Sequence, residues 1–387
     1  MRSVGRRVAI IAGLAILLVA SFEVWHVTGR TDIAENRTEV TPGVSVESTP
    51  PATDVPAAPI PLYDTAWLAP LFSVSSDLDV YFAHLKDAGF TGSLMTLTGE
   101  TSTFPERIST TTGKATDYID SAGMIRIDPG HVAYLRLLLD KAQKYGLKIG
   151  FAPMWEQDAV CGANAKKPAI LKTGNAYEFG AEVARAIGAQ SAVGFWLFGG
   201  DAETGPDGKQ CYADVNIWRQ MAKGLKDNGA NQPIGYHTAR GSNAPVLQQR
   251  HIKWATEAWL DILMPQTGQC ISAEVAHAQL AAVQAYARTI HKPVYSIEMR
   301  YESTKQLSPG FCAIDGARPK VTVAELRADA QAAVDLRVDA LVYGNHDHWQ
   351  WGNAYLDDSV GAGGGFDAVR RSFGSPGEAA YVAAVGR

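Results

Sequence analysis

The stretch "AVGFWLFGGD" (192–201) decides the fold. From Val193 to Phe198 it reads as a strand driven through a core, and it ends on two glycines and an acid, Asp201. Seven other short apolar runs resemble it. They are "LYDTAW" (62–67), "TGSLMTLT" (91–98), "KIGFAPMW" (148–155), "PIGYHTA" (233–239), "DILMPQTG" (261–268), "PVYSIEM" (293–299) and "ALVYGNHDHW" (340–349). Between them lie segments with apolar residues at i, i+3 and i+4, among them 75–89, 130–146, 175–188 and 323–337. Three of these four close on Gly, a common residue just past a helix end. The weakest helix signal is 246–259, between the fifth and sixth runs.

Strand and helix in alternation imply parallel strands joined by right-handed crossovers. Eight repeats predict an α/β chain folded as a (β/α)8 TIM barrel, a single domain over residues 62–387. The competing architecture is a doubly wound open sheet. It is disfavoured because no Gly-rich phosphate fingerprint follows the first run. After the eighth run, "FDAVRRSFGSPGEAAYVAAV" (366–385) can supply a closing helix and one more short helix.

The 387 residues carry a net charge of −5 and show no basic stripe, so nucleic acid is not an expected partner. The N-terminus, 1–30, reads as a signal peptide or a signal anchor: a basic "MRSVGRR" precedes an apolar stretch that extends over 8–27. Either reading exports the remainder to the periplasm or the outside and confines membrane contact to that segment. Residues 31–61, rich in Pro, Thr and Val, read as a disordered linker. Asn36 begins an N-x-T tripeptide there.

In an oxidising compartment an even set of cysteines predicts disulfides. Cys161 and Cys211 follow the third and fourth runs, and Cys270 and Cys312 follow the sixth and seventh. Two bridges tying neighbouring loops are expected; four free thiols are the alternative.

Barrel chemistry sits at the C-terminal strand ends. There the sequence places Asp64 and Trp67, then Trp155 and Glu156, then Asp201 and Glu203. Further on come His237 and Arg240, Gln266, and Glu298 with Arg300. The eighth run ends in Asn345, His346, His348, Trp349 and Trp351. Aromatic faces beside carboxylates, amides and imidazoles suit a sugar. Two carboxylates on different strands suit glycoside hydrolysis, one as acid and one as base or nucleophile. Asp201 and Glu298, on the fourth and seventh runs across the mouth, are the chosen pair.

Other readings compete. Asp201 could cap the following helix, and Glu298 could pair with Arg300 or Arg240. Glu156 and Glu203 could be solvated loop acids, His237 a satisfied core histidine, and Trp349 and Trp351 plain packing. His346 and His348, at i, i+2, would project from one face of a strand and could hold a metal. That would make a metal-dependent hydrolase, but the first run ends "DTAW" with no histidine. The expectation is no metal and no organic cofactor.

Seven pieces in order resemble the apiosidase-like glycoside hydrolases, whose barrel is related to the retaining clan A enzymes. They are "DTAW" (64–67), "KIGFAPMW" (148–155), "FWLFGGD" (195–201), "GYHTARG" (235–241), "WLDILMPQTG" (259–268), "KPVYSIEMRYE" (292–302) and "VYGNHDHWQW" (342–351). The resemblance implies Asp201 as acid/base and Glu298 as nucleophile, with His237, Gln266, His346 and Trp349 lining the pocket. The chain departs from the family at Met299 after the nucleophile, at Thr267 and Gln269 after Gln266, and at Thr238 to Arg240 after His237. The acids are kept while the pocket wall differs.

The expected protein is therefore an exported, monomeric glycoside hydrolase. It cleaves a plant or microbial oligo- or polysaccharide by retaining double displacement. The alternative from another class is a non-catalytic, membrane-tethered glycan-binding barrel.

Overall fold

A computed structural model describes residues 59–98, 108–109, 114–155, 170–200, 214–238, 250–268, 272–303, 321–352 and 364–386. Eight parallel strands form one sheet: β1 (Leu62–Thr65), β2 (Gly92–Thr96), β3 (Lys148–Ala152), β4 (Val193–Gly199), β5 (Ile234–His237), β6 (Ile262–Met264), β7 (Tyr295–Ser296) and β8 (Ala340–Tyr343). Each strand lies inside one of the eight apolar runs. Chain neighbours pair side by side, and β8 pairs back to β1 with Leu62 opposite Leu341. Parallel bridges Leu263–Val294 and Gln266–Ile297 join β6 to β7. The sheet therefore closes on itself as the (β/α)8 barrel.

Alternation along the strands sorts side chains into two cores. Tyr63, Leu94, Phe195, Leu197, Ile262, Met264 and Val342 point inward and fill the barrel. Tyr63 meets Phe195 edge to face at 5.4 Å. Their neighbours Leu62, Met95, Trp196, Phe198 and Leu263 point outward to the helix layer.

That layer holds α1 (Ser75–Asp87), α2 (Pro129–Lys144), α3 (Thr173–Val183), α4 (Val215–Asp227), α5 (Arg250–Lys253), α6 (Ala273–Thr289), α7 (Val323–Asp335) and α8 (Pro376–Ala384). The polar caps are written in the sequence. Asp128 accepts from the N–H groups of Gly130 and His131 ahead of Pro129 at the first turn of α2. Thr322 and Glu325 cap α7 reciprocally. The fifth helix, weakest by periodicity, is a single turn. α3 runs on as a π-helical turn, Ala184–Gly188. Two small antiparallel pairs, 108–109 with 114–115 and 117–119 with 125–127, lie between β2 and α2.

The eighth run shortens. β8 stops at Tyr343, and residues 346–349 form a helical turn capped by Asn345. Among the described residues no helix is long and apolar enough to cross a membrane. The N-terminal segment, Asn36, all but the last three residues of the 31–61 linker, and the four cysteines lie outside the described residues.

Candidate active site

Glu298 sits just past β7, on the barrel axis side, and is 3% exposed. Its backbone is left-handed, φ 46°, which is uncommon for a residue with a side chain and marks a conformation held by its surroundings. Four side chains from four elements converge on the carboxylate. Oε1 accepts from Trp67 Nε1 at 3.0 Å and from the Tyr301 hydroxyl at 2.8 Å. Oε2 accepts from Gln266 Nε2 at 2.5 Å and faces His237 Nε2 at 3.3 Å.

The His237 ring is oriented from its other side, where Nδ1 donates to the Thr238 carbonyl at 2.7 Å. Nε2 is therefore the atom turned to the acid. Burial alone would push the Glu298 carboxyl up. The charge on His237, with hydrogen bonds from His237, Tyr301 and Trp67, outweighs it and holds the group below the usual carboxylate range. Tyr301 goes the other way. Burial, then the neighbouring Glu298 charge, pushes its hydroxyl well above the usual phenol value, so it stays a donor.

Trp67 is fixed at its backbone, where its carbonyl accepts from both the amide and the hydroxyl of Thr96. Trp155, after β3, packs against the Trp67 ring at 4.9 Å and the His237 ring at 5.2 Å. The β4 glycines explain the "FGG" corner. Gly199 and Gly200 have φ of 90° and 117°. A Cβ on Gly200 would lie 2.6 Å from the Trp155 ring, and the Gly200 amide donates to the His237 carbonyl at 3.1 Å. Only glycine serves both the dihedral and the approach. Asp201, bonded to Gly200, lies outside the described residues, as do Glu156, Glu203 and Arg240.

Residues 60–362 match the apiosidase-like catalytic domain. The chain belongs to the apiosidase-like family. No curated protein matches it. Among solved structures, a glycoside hydrolase family 5 protein from Bacteroides vulgatus ATCC 8482 superposes with TM-score 0.55 and 18% identity, over 76% of this chain and 59% of that one. A second, a glycoside hydrolase, superposes with TM-score 0.60 and 15% identity, over 83% of this chain and 68% of that one. The chain thus spans about three fifths of the first structure's length. At these identities the likeness is one of fold, and the fold is the TIM barrel of glycoside hydrolases.

In this apiosidase-like barrel the structure brings Trp67, Trp155, His237, Gln266 and Glu298 together. His346 and Trp349 stand beside them: the His346 ring is 5.2 Å from Tyr301, and Trp349 packs on the inner cluster that holds Trp67 and Trp155. Other expected sugar contacts are spent elsewhere. Asp64 points outward, where its Oδ2 accepts from Tyr81 at 2.5 Å and pairs with His348 Nδ1 at 2.9 Å. His348 and His346 therefore do not share a strand face, because they sit on a helical turn. Arg300 also points outward, gripping Asp329 of α7 at 2.7 and 2.6 Å and Glu325 at 2.9 Å. Asn345 Oδ1 accepts from the Asp347 and His348 amides, and Asn345 Nδ2 donates to the Tyr343 hydroxyl. Trp351 is buried and stacks on Phe366. Tyr301 was not expected. Its place three residues past Glu298, inside "EMRYE", was the available signal.

Proposed function

We infer that the protein is an exported glycoside hydrolase that cleaves a plant or microbial oligo- or polysaccharide with retention. Glu298 is the nucleophile and Asp201 the acid/base. The observation that carries this is the Glu298 carboxylate: buried at the barrel mouth, held ionised, and walled by Trp67 and Trp155. A carboxylate kept charged out of water beside aromatic faces suits attack on an anomeric carbon. Support for Asp201 is its chain position directly after Gly200, which lies against Trp155 and His237.

In the first step a Glu298 oxygen bonds to the anomeric carbon as the glycosidic C–O bond breaks. The leaving oxygen takes the Asp201 proton. In the second, Asp201 removes a proton from water, the water oxygen bonds to the anomeric carbon, and the bond to Glu298 breaks. The sugar meets the enzyme outside the cytoplasm, with residues 8–27 as signal or tether, and the enzyme acts as a monomer.

The test is a panel of aryl glycosides, furanosides included, with wild type, Asp201→Ala and Glu298→Ala, each with and without azide. Both variants are expected to lose at least about 100-fold in kcat/KM. Glu298→Ala with azide is expected to give a glycosyl azide of inverted configuration, and Asp201→Ala one of retained configuration. If wild type turns over nothing while glycans bind in a Trp155-dependent way, the barrel is a glycan-binding protein.

A further inference from the structure

We propose that Gln266 reads the hydroxyl on the carbon next to the anomeric carbon, so that the substrate is a sugar with a free 2-hydroxyl. The proposal rests on Glu298 being the nucleophile. The starting observation is an orphan. Gln266 is 1% exposed, and its Oε1 is buried and takes no hydrogen bond. An acceptor left dry and unpaired is destabilising, and at a site lined by Glu298, Trp67 and His237 a bound hydroxyl can complete it.

The orientation of that atom is not free. Gln266 Nε2 donates to Glu298 Oε2 at 2.5 Å. Turning the amide over would set Oε1 against a carboxylate oxygen, two acceptors face to face. The main chain is pinned as well, by its amide on Thr238 Oγ1 at 3.1 Å and by the bridge to Ile297. Gln266 therefore offers one acceptor, in one direction.

Its place follows from the amide's size. The oxygen and nitrogen of one amide are about 2.2 Å apart, so Oε1 lies within about 5 Å of Glu298 Oε2. When a carboxylate oxygen bonds to the anomeric carbon, the sugar hydroxyl nearest to it is the one on C2. That O–H can donate to Gln266 Oε1 while the same amide's N–H steadies the nucleophile. Hydrogen bonds at this hydroxyl strengthen in the oxocarbenium-like transition state. A site built around such a bond rejects the analogue that lacks it. Sugars with an N-acetyl group or only hydrogen at C2 are excluded, the first by bulk beside a pinned side chain, the second by leaving the acceptor dry.

The experiment pairs the aryl glycoside turned over fastest by wild type with its 2-deoxy counterpart. Wild type is expected to favour the 2-hydroxy substrate by at least about 100-fold in kcat/KM. Gln266→Met, checked for folding by its thermal transition, is expected to be slower on both and to shrink that preference to within about threefold. Wild type that treats the two substrates alike overturns the proposal without any variant and leaves the hydrolase reading intact. So does a preference that survives in Gln266→Met. A wild type inert on every glycoside of the panel removes the nucleophile reading and this inference with it.

Discussion

A carboxylate taken out of water must find in the protein the donors it lost. Glu298 finds Trp67, Tyr301, Gln266 and His237, and its charge depends on all four. Tyr301→Phe removes one donor and little volume. A hydrogen bond to a charged group is worth about 1.5–3 kcal/mol, or roughly one to two pH units of carboxyl affinity for the proton. Because the folded-state value of Glu298 lies below its unfolded one, its contribution to stability is present above the ordinary carboxylate range and is lost as pH falls through the folded value. Tyr301→Phe raises that folded value. The acid limb of the kcat/KM profile is expected to move up by about one pH unit or more. An unmoved limb with a lower kcat would make Tyr301 a geometric prop only. Trp67, His237, Gln266 and Glu298 were legible because each ends a strand run, where barrel chemistry collects. Tyr301 was not, because nothing in a sequence announces that Glu298 adopts φ 46° and that the Tyr301 hydroxyl reaches its carboxylate.

At the scale of elements, the period-2 alternation of a strand does not continue past its end. β7 ends at Ser296, and the left-handed Glu298 resets the alternation, so Arg300 turns out to α7 although Glu298 turns in. The turn 346–349 does the same to its histidines. His346 faces Tyr301, whereas His348 reaches Asp64 between β1 and α1. That buried pair links the β1 end, which carries Trp67, to the turn that carries Trp349. Burial draws the His348 ring down, but the charge and hydrogen bond of Asp64 outweigh it and leave the ring above the usual imidazole value. Its stabilisation is therefore full below the unfolded imidazole value and is lost as pH rises through the folded one. Asp64→Asn is expected to cost about 3–5 kcal/mol, since a buried pair is broken from one side. It should also flatten the loss of stability on the alkaline side of neutral. Thermal denaturation of both proteins across that pH range is the check. Equal alkaline slopes would mean the pair carries no charge.

For the whole molecule, the eight strand runs were readable because a parallel barrel covers both faces of its sheet, so its strands read as near-continuous apolar runs separated by crossovers. What alternation cannot show is how the chain beyond the barrel is fastened. The family match ends at residue 362, yet α8 is tied to the catalytic end of the barrel. Glu302, four residues past the proposed nucleophile, accepts from the Tyr343 hydroxyl at 2.6 Å and the Ser375 hydroxyl at 2.5 Å, and its carbonyl accepts from the His346 amide at 3.0 Å. The first turn of α8 closes over that carboxylate, with Gly377 N donating to Glu302 Oε1 at 3.3 Å. Gly377→Ala tests whether this seam is tight. In a solvated helix the change would stabilise by about 1 kcal/mol, since glycine is the poorer helix former. Here the new methyl would overlap the Glu302 carboxylate, which is held by Tyr343, Ser375 and the Gly377 amide, and stand 2.7 Å from Cδ1 of the fully buried Leu326. Overpacking of this kind costs about 1–3 kcal/mol, enough to reverse the sign. The expected result is a lower midpoint in urea, together with a fall in kcat/KM, because the carboxylate that must shift belongs to the residue whose main-chain carbonyl holds the His346 amide. A variant that is more stable than wild type would mean that α8 rests loosely on the barrel and that the site owes it nothing.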